Sequence, residues 1–376
     1  MKIKNKKSRW WIILGIIAGV IILAVIFGAI FLKMTFFKTF PELNGTPEIG
    51  KWYQITPANT ISSDGSEWHG IFRKGTENKV VVYFFGGGVS ITEETSRGGT
   101  KFYATNMLAQ DFVAQGGIGS DDDANPFKDW TMIVIPYASG DFHSGTGEYH
   151  YVENGKNKTV YHNGYNNYTN YIEAVKEYVG EPDTLLVTGF SAGGFATALL
   201  ADDVMDRFPT AENVTVCVDS ALLLYDGWRD SAENLWQSPQ EISDRLTTNN
   251  LVLDSLTALY EKRGDSVKIL FDCSYRDNTL MQYQSYIDNG EMLQSKELGD
   301  QFQVTLKEMV QKLKTNIPTI GVYIWSYAED PKTGNTQHTI ISSNVFDKLG
   351  NEKSVCEWIY DAVNGNVQNY GIDLLK

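Results

Sequence analysis

Cysteine is scarce in this chain. Three residues in 376 (Cys217, Cys273 and Cys356) build no disulfide framework, and an odd count leaves at least one thiol free. Histidine is nearly as sparse, with five residues. No Cys/His spacing matches a metal-ligand pattern, so neither a metal nor a cofactor is expected. Positive charge is short as well: 32 Lys and Arg stand against 46 Asp and Glu, a net charge of −14. That balance argues against nucleic acid or anionic headgroups as partners of the main body. Internal repeats and low-complexity tracts are missing, which removes solenoids and disordered arrays. What remains is a chain that is 42% hydrophobic and 12% aromatic, rich enough for a large core. Its length suits one α/β domain of roughly 300 residues plus an appendage.

The appendage is at the N-terminus. Five cations within residues 1–9 precede an uncharged run of 23 residues at 10–32, WWIILGIIAGVIILAVIFGAIFL. As a helix it would span about 34 Å at ~1.5 Å per residue, enough for a ~30 Å hydrocarbon core. It is longer than a secretory h-region and ends without a small-residue cleavage site. The expectation is an uncleaved single-pass membrane anchor with the basic end cytoplasmic. Residues 33–50 read as a stalk, and 51–376 as an extracellular domain.

Two segments near 51–56 and 66–74 suit antiparallel opening strands. Apolar β-branched runs then follow in series: 80–85, 131–137, 184–190, 214–220, 267–273 and 320–327. Such runs fit strands buried on both faces of a parallel sheet. Helical patterns lie between them at 167–179, 193–207, 243–263 and 293–314. The spacing predicts an α/β-hydrolase-like, doubly wound, mostly parallel sheet. Residues 223–262, with Trp228 and Trp236, exceed what one crossover needs and read as a helical cap insertion.

Gly189-Phe190-Ser191-Ala192-Gly193 fits G-x-S-x-G. As a bare pattern it is weak, but here it follows an apolar strand and opens a helix, the setting of a nucleophile elbow. Ser191 is therefore the candidate nucleophile. Chain order in this fold runs Ser, acid, His, and His338 alone among the five histidines follows Ser191. It lies just past the last expected strand and is the candidate base. The acid should follow the strand at 267–273, where Asp272 and Asp277 are both available. Asp277 is preferred because it lies in the loop beyond the strand's carboxyl end, where ligand chemistry collects in open α/β sheets. Asp272 sits inside the strand end, where it could instead satisfy backbone groups. Gly86-Gly87-Gly88 after the strand at 80–85 would let backbone N–H groups converge on an anion. Gly87, Gly88 and Ala192 are thus the expected oxyanion donors. With no P-loop lysine after the glycines, phosphate binding does not fit.

Together these pieces resemble the pectin acetylesterase/Notum family. The matching segments are FFGGGVS (84–90), VIPYASGDFHSG (134–145), HNGYNNY (162–168), GFSAGGFAT (189–197), VDSALLL (218–224), YRDNTLMQY (275–283) and NTQHT (335–339). The resemblance implies nucleophile, acid and base at Ser191, Asp277 and His338, in agreement with the order argument. This chain departs from the family where members carry cysteines, having Val89-Ser90, Ala138 and Phe190. It thus reads as a divergent, bacterial branch without the supporting disulfides. Asp141, His143 and His162 fall in matched segments before Ser191 and read as backbone-positioning groups.

The expected function is serine-esterase hydrolysis of O-acyl esters through an acyl-enzyme. The resemblance suggests acetyl groups on a polysaccharide as substrate. Two alternatives stay open: a lipase or lipid-deacylating carboxylesterase, and an inactive hydrolase fold used as a surface binding module. Oligomeric state is not legible.

Overall fold

The computed structural model describes residues 39–376. The expected basic end, the anchor at 10–32 and the first part of the stalk lie outside the described residues. Among those described, no helix is long and apolar enough to cross a membrane. From Phe40 onward the segment read as stalk is packed on the domain. The Phe40 ring stacks on Trp52 at 5.7 Å, and Leu43 donates its N–H to the Gln54 carbonyl at 2.9 Å.

Ten strands are present among the described residues: β1 (Trp52–Ile55), β2 (Gly70–Arg73), β3 (Lys79–Phe84), β4 (Thr131–Ile135), β5 (Gly147–Glu153), β6 (Lys156–His162), β7 (Thr184–Phe190), β8 (Asn213–Asp219), β9 (Val267–Ser274) and β10 (Gly321–Trp325). Eight form one sheet in the order β1-β2-β4-β3-β7-β8-β9-β10, and β5 pairs with β6 apart from it. β1–β2 and β2–β4 are antiparallel, whereas every pairing from β4 to β10 is parallel. The parallel strands are the expected apolar runs. Their Val, Ile and Leu side chains are buried on both faces, as a sheet with helix-connected parallel strands requires.

The longer helices are α1 (Gly164–Val179), α2 (Ala192–Arg207), α3 (Leu251–Arg263), α4 (Asn278–Asn289), α5 (Lys296–Asn316) and α6 (Val355–Val363). The helix expected over 243–263 starts later, at Leu251. The Asn250 side chain accepts the Leu253 N–H at 3.0 Å, and that cap fixes the start. Three elements were not anticipated. The β5–β6 hairpin turns on Asn154-Gly155, both at positive φ, the turn chemistry that suits the twist of paired strands. α4 and α6 were also missed.

Within 223–262, Trp228 and Trp236 are fully buried. Both pack against Phe142, which itself stacks on Phe195 of α2 at 4.3 Å. Trp236 Nε1 donates to the Ser90 carbonyl at 2.7 Å, and Ser231 Oγ to the Ile91 carbonyl at 2.8 Å. These bonds clamp the segment onto the chain just beyond the triple glycine.

Candidate active site at the carboxyl edge of the sheet

Ser191 sits in the sharp turn between β7 and α2, at φ 55° and ψ −126°. A serine at positive φ is strained, and such strain persists only when the surroundings over-determine it. The constraint is visible at the flanking glycines. A Cβ on Gly193 would lie 2.0 Å from the Phe84 carbonyl oxygen, and one on Gly189 would lie 2.3 Å from the Gly193 oxygen. The elbow therefore fits only with its two outer glycines. A Cβ on Gly86 would come within 2.6 Å of the Ser191 Cβ, so the triple-glycine loop passes directly against the serine.

Asp277 caps α4 and faces His338. Its Oδ1 accepts the Thr279 and Leu280 N–H groups, each at 2.9 Å. Its Oδ2 lies 2.7 Å from His338 Nδ1. A carboxylate against Nδ1 makes that nitrogen the donor, leaving the Nε2 lone pair as the base. Nε2 is buried with no hydrogen-bond partner. Burial pushes the His338 pKa down, but the charge and hydrogen bond of Asp277, with the charge of Asp219, outweigh it and raise the pKa above the ordinary value. Asp272, the alternative acid, is turned away from His338 and accepts from Trp325 Nε1 at 3.3 Å. Ser191 Oγ makes no hydrogen bond among the described residues, so the two groups that a proton relay would join are both unpaired and the bond between them is not made. Catalytic hydrogen bonds often tighten only once substrate is bound.

One residue not singled out from the sequence ties the elbow to the histidine loop. The Asp219 carbonyl accepts the Ser191 N–H at 3.0 Å. Its Oδ2 accepts the Ile340 and Ile341 N–H groups, each at 2.9 Å, and its Oδ1 accepts Ser220 Oγ at 2.6 Å. Asp219 is fully buried, and so is Asp272, its register partner on β9. Burial, together with the Asp219 charge and hydrogen bond, raises the Asp272 pKa well above the carboxylate range. Burial raises the Asp219 pKa as well, so the pair favours holding one proton between its two carboxyls. No signal in the linear sequence distinguishes this aspartate, because its partners arrive from β7, β9 and the loop after β10.

The N–H groups of Gly87, Gly88 and Ala192 donate to no acceptor among the described residues. Gly88, Ser191 and Ala192 share the wall of one small cleft with Val89, Phe142, Phe195 and Leu223, and α4 contributes Thr279, Leu280 and Tyr283. The free volume there is about 10 Å³, the order needed by a single water. Asp141, His143 and His162 hold backbone nearby. Asp141 Oδ2 accepts the Gly145 and Gly164 N–H groups at 3.2 and 2.8 Å. His143 Nε2 meets the Phe85 carbonyl at 2.9 Å, and burial pushes its pKa down to about 4. His162 Nδ1 meets the Ser139 carbonyl at 2.8 Å, and burial lowers its pKa too. All three cysteines are buried and free.

The fold is α/β-hydrolase-like. Residues 56–233 match the model of the family described as "PAE: Pectinacetylesterase". The family resemblance read from the motifs is thereby shown. The match contains Ser191, Gly87, Gly88 and Ala192, while Asp277 and His338 lie beyond it. Among solved structures, the chain is similar to the Wnt deacylase Notum from Drosophila, with a TM-score of 0.58 and 18% identity, over 84% of this chain and 94% of that one. At that identity the likeness speaks for the fold. No curated protein matches the chain significantly.

Proposed function

We propose that this chain is a serine esterase that removes small O-acyl groups, acetyl above all, from a polysaccharide outside the cell, held at the membrane by residues 10–32. The observation that carries the reading is the Asp277–His338 pair at 2.7 Å with His338 Nε2 unpaired, its loop tied through Asp219 to the strained elbow serine. His338 Nε2 takes the Ser191 proton as Oγ attacks the acyl carbon. The imidazolium that results is held by Asp277. The free N–H groups of Gly87, Gly88 and Ala192 receive the oxyanion, and each such donor typically contributes ~3 kcal/mol to the transition state. His338 then returns the proton to the departing sugar hydroxyl. Water, activated by the same base, releases the acid and restores Ser191.

The size of the cleft favours acetyl over a long acyl chain. With about 10 Å³ free, any acyl group needs Phe142, Phe195 or Leu223, all packed in the core, to yield, and a fatty chain needs far more of this than acetyl. Residues 223–262 act as a fixed roof in this reading, since Trp236 and Ser231 bond to the chain beneath. A fluorophosphonate probe should label the full-length protein and spare Ser191→Ala. Nitrophenyl acetate should be turned over faster than the octanoate. Labelling of both proteins would refute the nucleophile, and a preference for octanoate would refute the acyl size.

A further inference from the structure

α4 has two polar-edged sides. Thr279, Leu280 and Tyr283 face the Ser191 cleft, whereas Met281, Gln284, Ser285 and Asp288 line a second recess of about 500 Å³. The loop after β8 divides in the same way, Leu223 lining the cleft and Leu222 and Leu224 the recess. The same helix and loop thus contribute to both walls. The volume is in the range of small-ligand sites, roughly 300–1,000 Å³.

The chemistry of the recess is specific. Ser285 is 1% exposed, and its hydroxyl, in the recess wall, has no hydrogen-bond partner. A buried hydroxyl left so costs about 1–3 kcal/mol, which a bound donor or acceptor would recover. The side chains of Asp226, Asn249 and Gln301 also make no hydrogen bonds among the described residues. Gln284 is fixed, accepting the Leu224 N–H at 2.8 Å and donating to Asp288 Oδ1 at 2.9 Å, so Asp288 is presented in one orientation. Between these polar groups lie Tyr225, Leu222 and Leu298. Carboxylates and amides beside an aromatic and aliphatic floor suit a ring with hydroxyls on its edge and C–H groups on its face. Two carboxylates and no Lys or Arg line the recess. An anionic ligand would meet like charge with nothing to offset it.

We propose that this recess is a glycan subsite that accepts neutral or amine-bearing sugar units and rejects polyanionic ones such as uronate chains. The inference rests on the esterase reading for its purpose, which is to hold a polymer beside Ser191, though the binding itself does not require turnover. It separates this chain's substrate from acidic pectin.

The test uses full-length Ser191→Ala protein, calorimetrically titrated with three hexameric probes: a cello-oligosaccharide, a glucosamine oligomer and an oligogalacturonate. Neutral or glucosamine probes should bind at least tenfold more tightly than the uronate. That binding should fall at least tenfold in Asp226→Ala/Asp288→Ala, with the melting temperature as the check on folding. Asp226→Asn/Asp288→Asn should narrow the discrimination against the uronate. Tightest binding of the oligogalacturonate, binding indifferent to both double variants, or no binding of any probe would overturn the subsite. Nitrophenyl acetate turnover by the wild-type protein, measured separately, reports on the esterase reading alone.

Discussion

Asp277 performs two tasks with its two oxygens, and a pair of substitutions should pull them apart. Oδ1 caps α4 through the Thr279 and Leu280 N–H groups at 2.9 Å, and Oδ2 holds His338 Nδ1 at 2.7 Å. In Asp277→Asn the cap survives, since Asn caps about as well as Asp, and stability should change by less than about 1 kcal/mol. The new amide, however, turns a donor toward Nδ1. The imidazole then shifts its proton to Nε2, which can no longer accept from Ser191, and turnover should fall about 10²–10⁴-fold. In Asp277→Ala the cap is lost, at ~1 kcal/mol. A buried imidazole N–H is also left unpaired, at ~1–3 kcal/mol. The total is about 2–4 kcal/mol by urea denaturation, with turnover as low as in the Asn variant. Asn retaining turnover within tenfold of wild type would refute the tautomer argument. Equal loss of stability in Asn and Ala would refute the cap.

The histidines should titrate on opposite sides of the ordinary value near 6.5. By imidazole NMR, His143 should stay neutral down to about pH 4 and His338 should stay protonated above its ordinary value. The acidic limb of kcat/KM should follow His338, because only the neutral imidazole accepts a proton; a limb at or below the ordinary value would contradict this. Asp219→Ala strips the acceptor from the Ile340 and Ile341 N–H groups and Ser220 Oγ, and should cost at least about 3 kcal/mol at ~1–3 kcal/mol each. Asp272→Asn keeps a neutral donor toward Asp219 and should cost under about 1 kcal/mol, so equal losses for the two variants would refute the shared proton. Gly193→Ala forces a Cβ to 2.0 Å from the Phe84 carbonyl and should destabilise by at least about 2 kcal/mol; a melting curve like the wild type would contradict it.

What the sequence made legible follows from where the physics is local. The parallel strands announce themselves because a strand buried on both faces has to be apolar throughout. The elbow does so because its turn tolerates only glycine two residues to either side of Ser191. α6 carried a signal that went unread, the capping box of Ser354 and Glu357. α4 was hidden for a different reason. Its residues Asn278–Asn289 bury only Leu280, Met281 and Ser285, so no apolar stripe marks it, and the capping aspartate was read for its chemistry alone. The β5–β6 hairpin was missed although Asn154-Gly155 is the turn such strands prefer. Burial alternates along β5, but only Gly147, Val160 and His162 are fully buried in the two strands, so few apolar side chains mark them.

The part of the site that only three dimensions reveal is also the part that joins the family-matched segment to the rest. Parallel pairing sets Phe190, Asp219 and Asp272 side by side at the end of β7, β8 and β9. One residue past Phe190 is the elbow serine, and five past Asp272 is the acid that holds His338. Lateral bonds link the edge: Ser191 donates to the Asp219 carbonyl and Ser220 to the Asp272 carbonyl. The histidine loop has no strand of its own here. It is fixed by the bridge of Thr336 to Asp277 and by two N–H groups on the Asp219 carboxylate. Such a carboxylate, fully buried, is tolerable because each oxygen is occupied by donors and burial, raising both carboxyl pKa values, disfavours a second charge. Register in the sheet and the hydrogen bonds of one buried carboxylate therefore bring residues far apart in sequence to one edge.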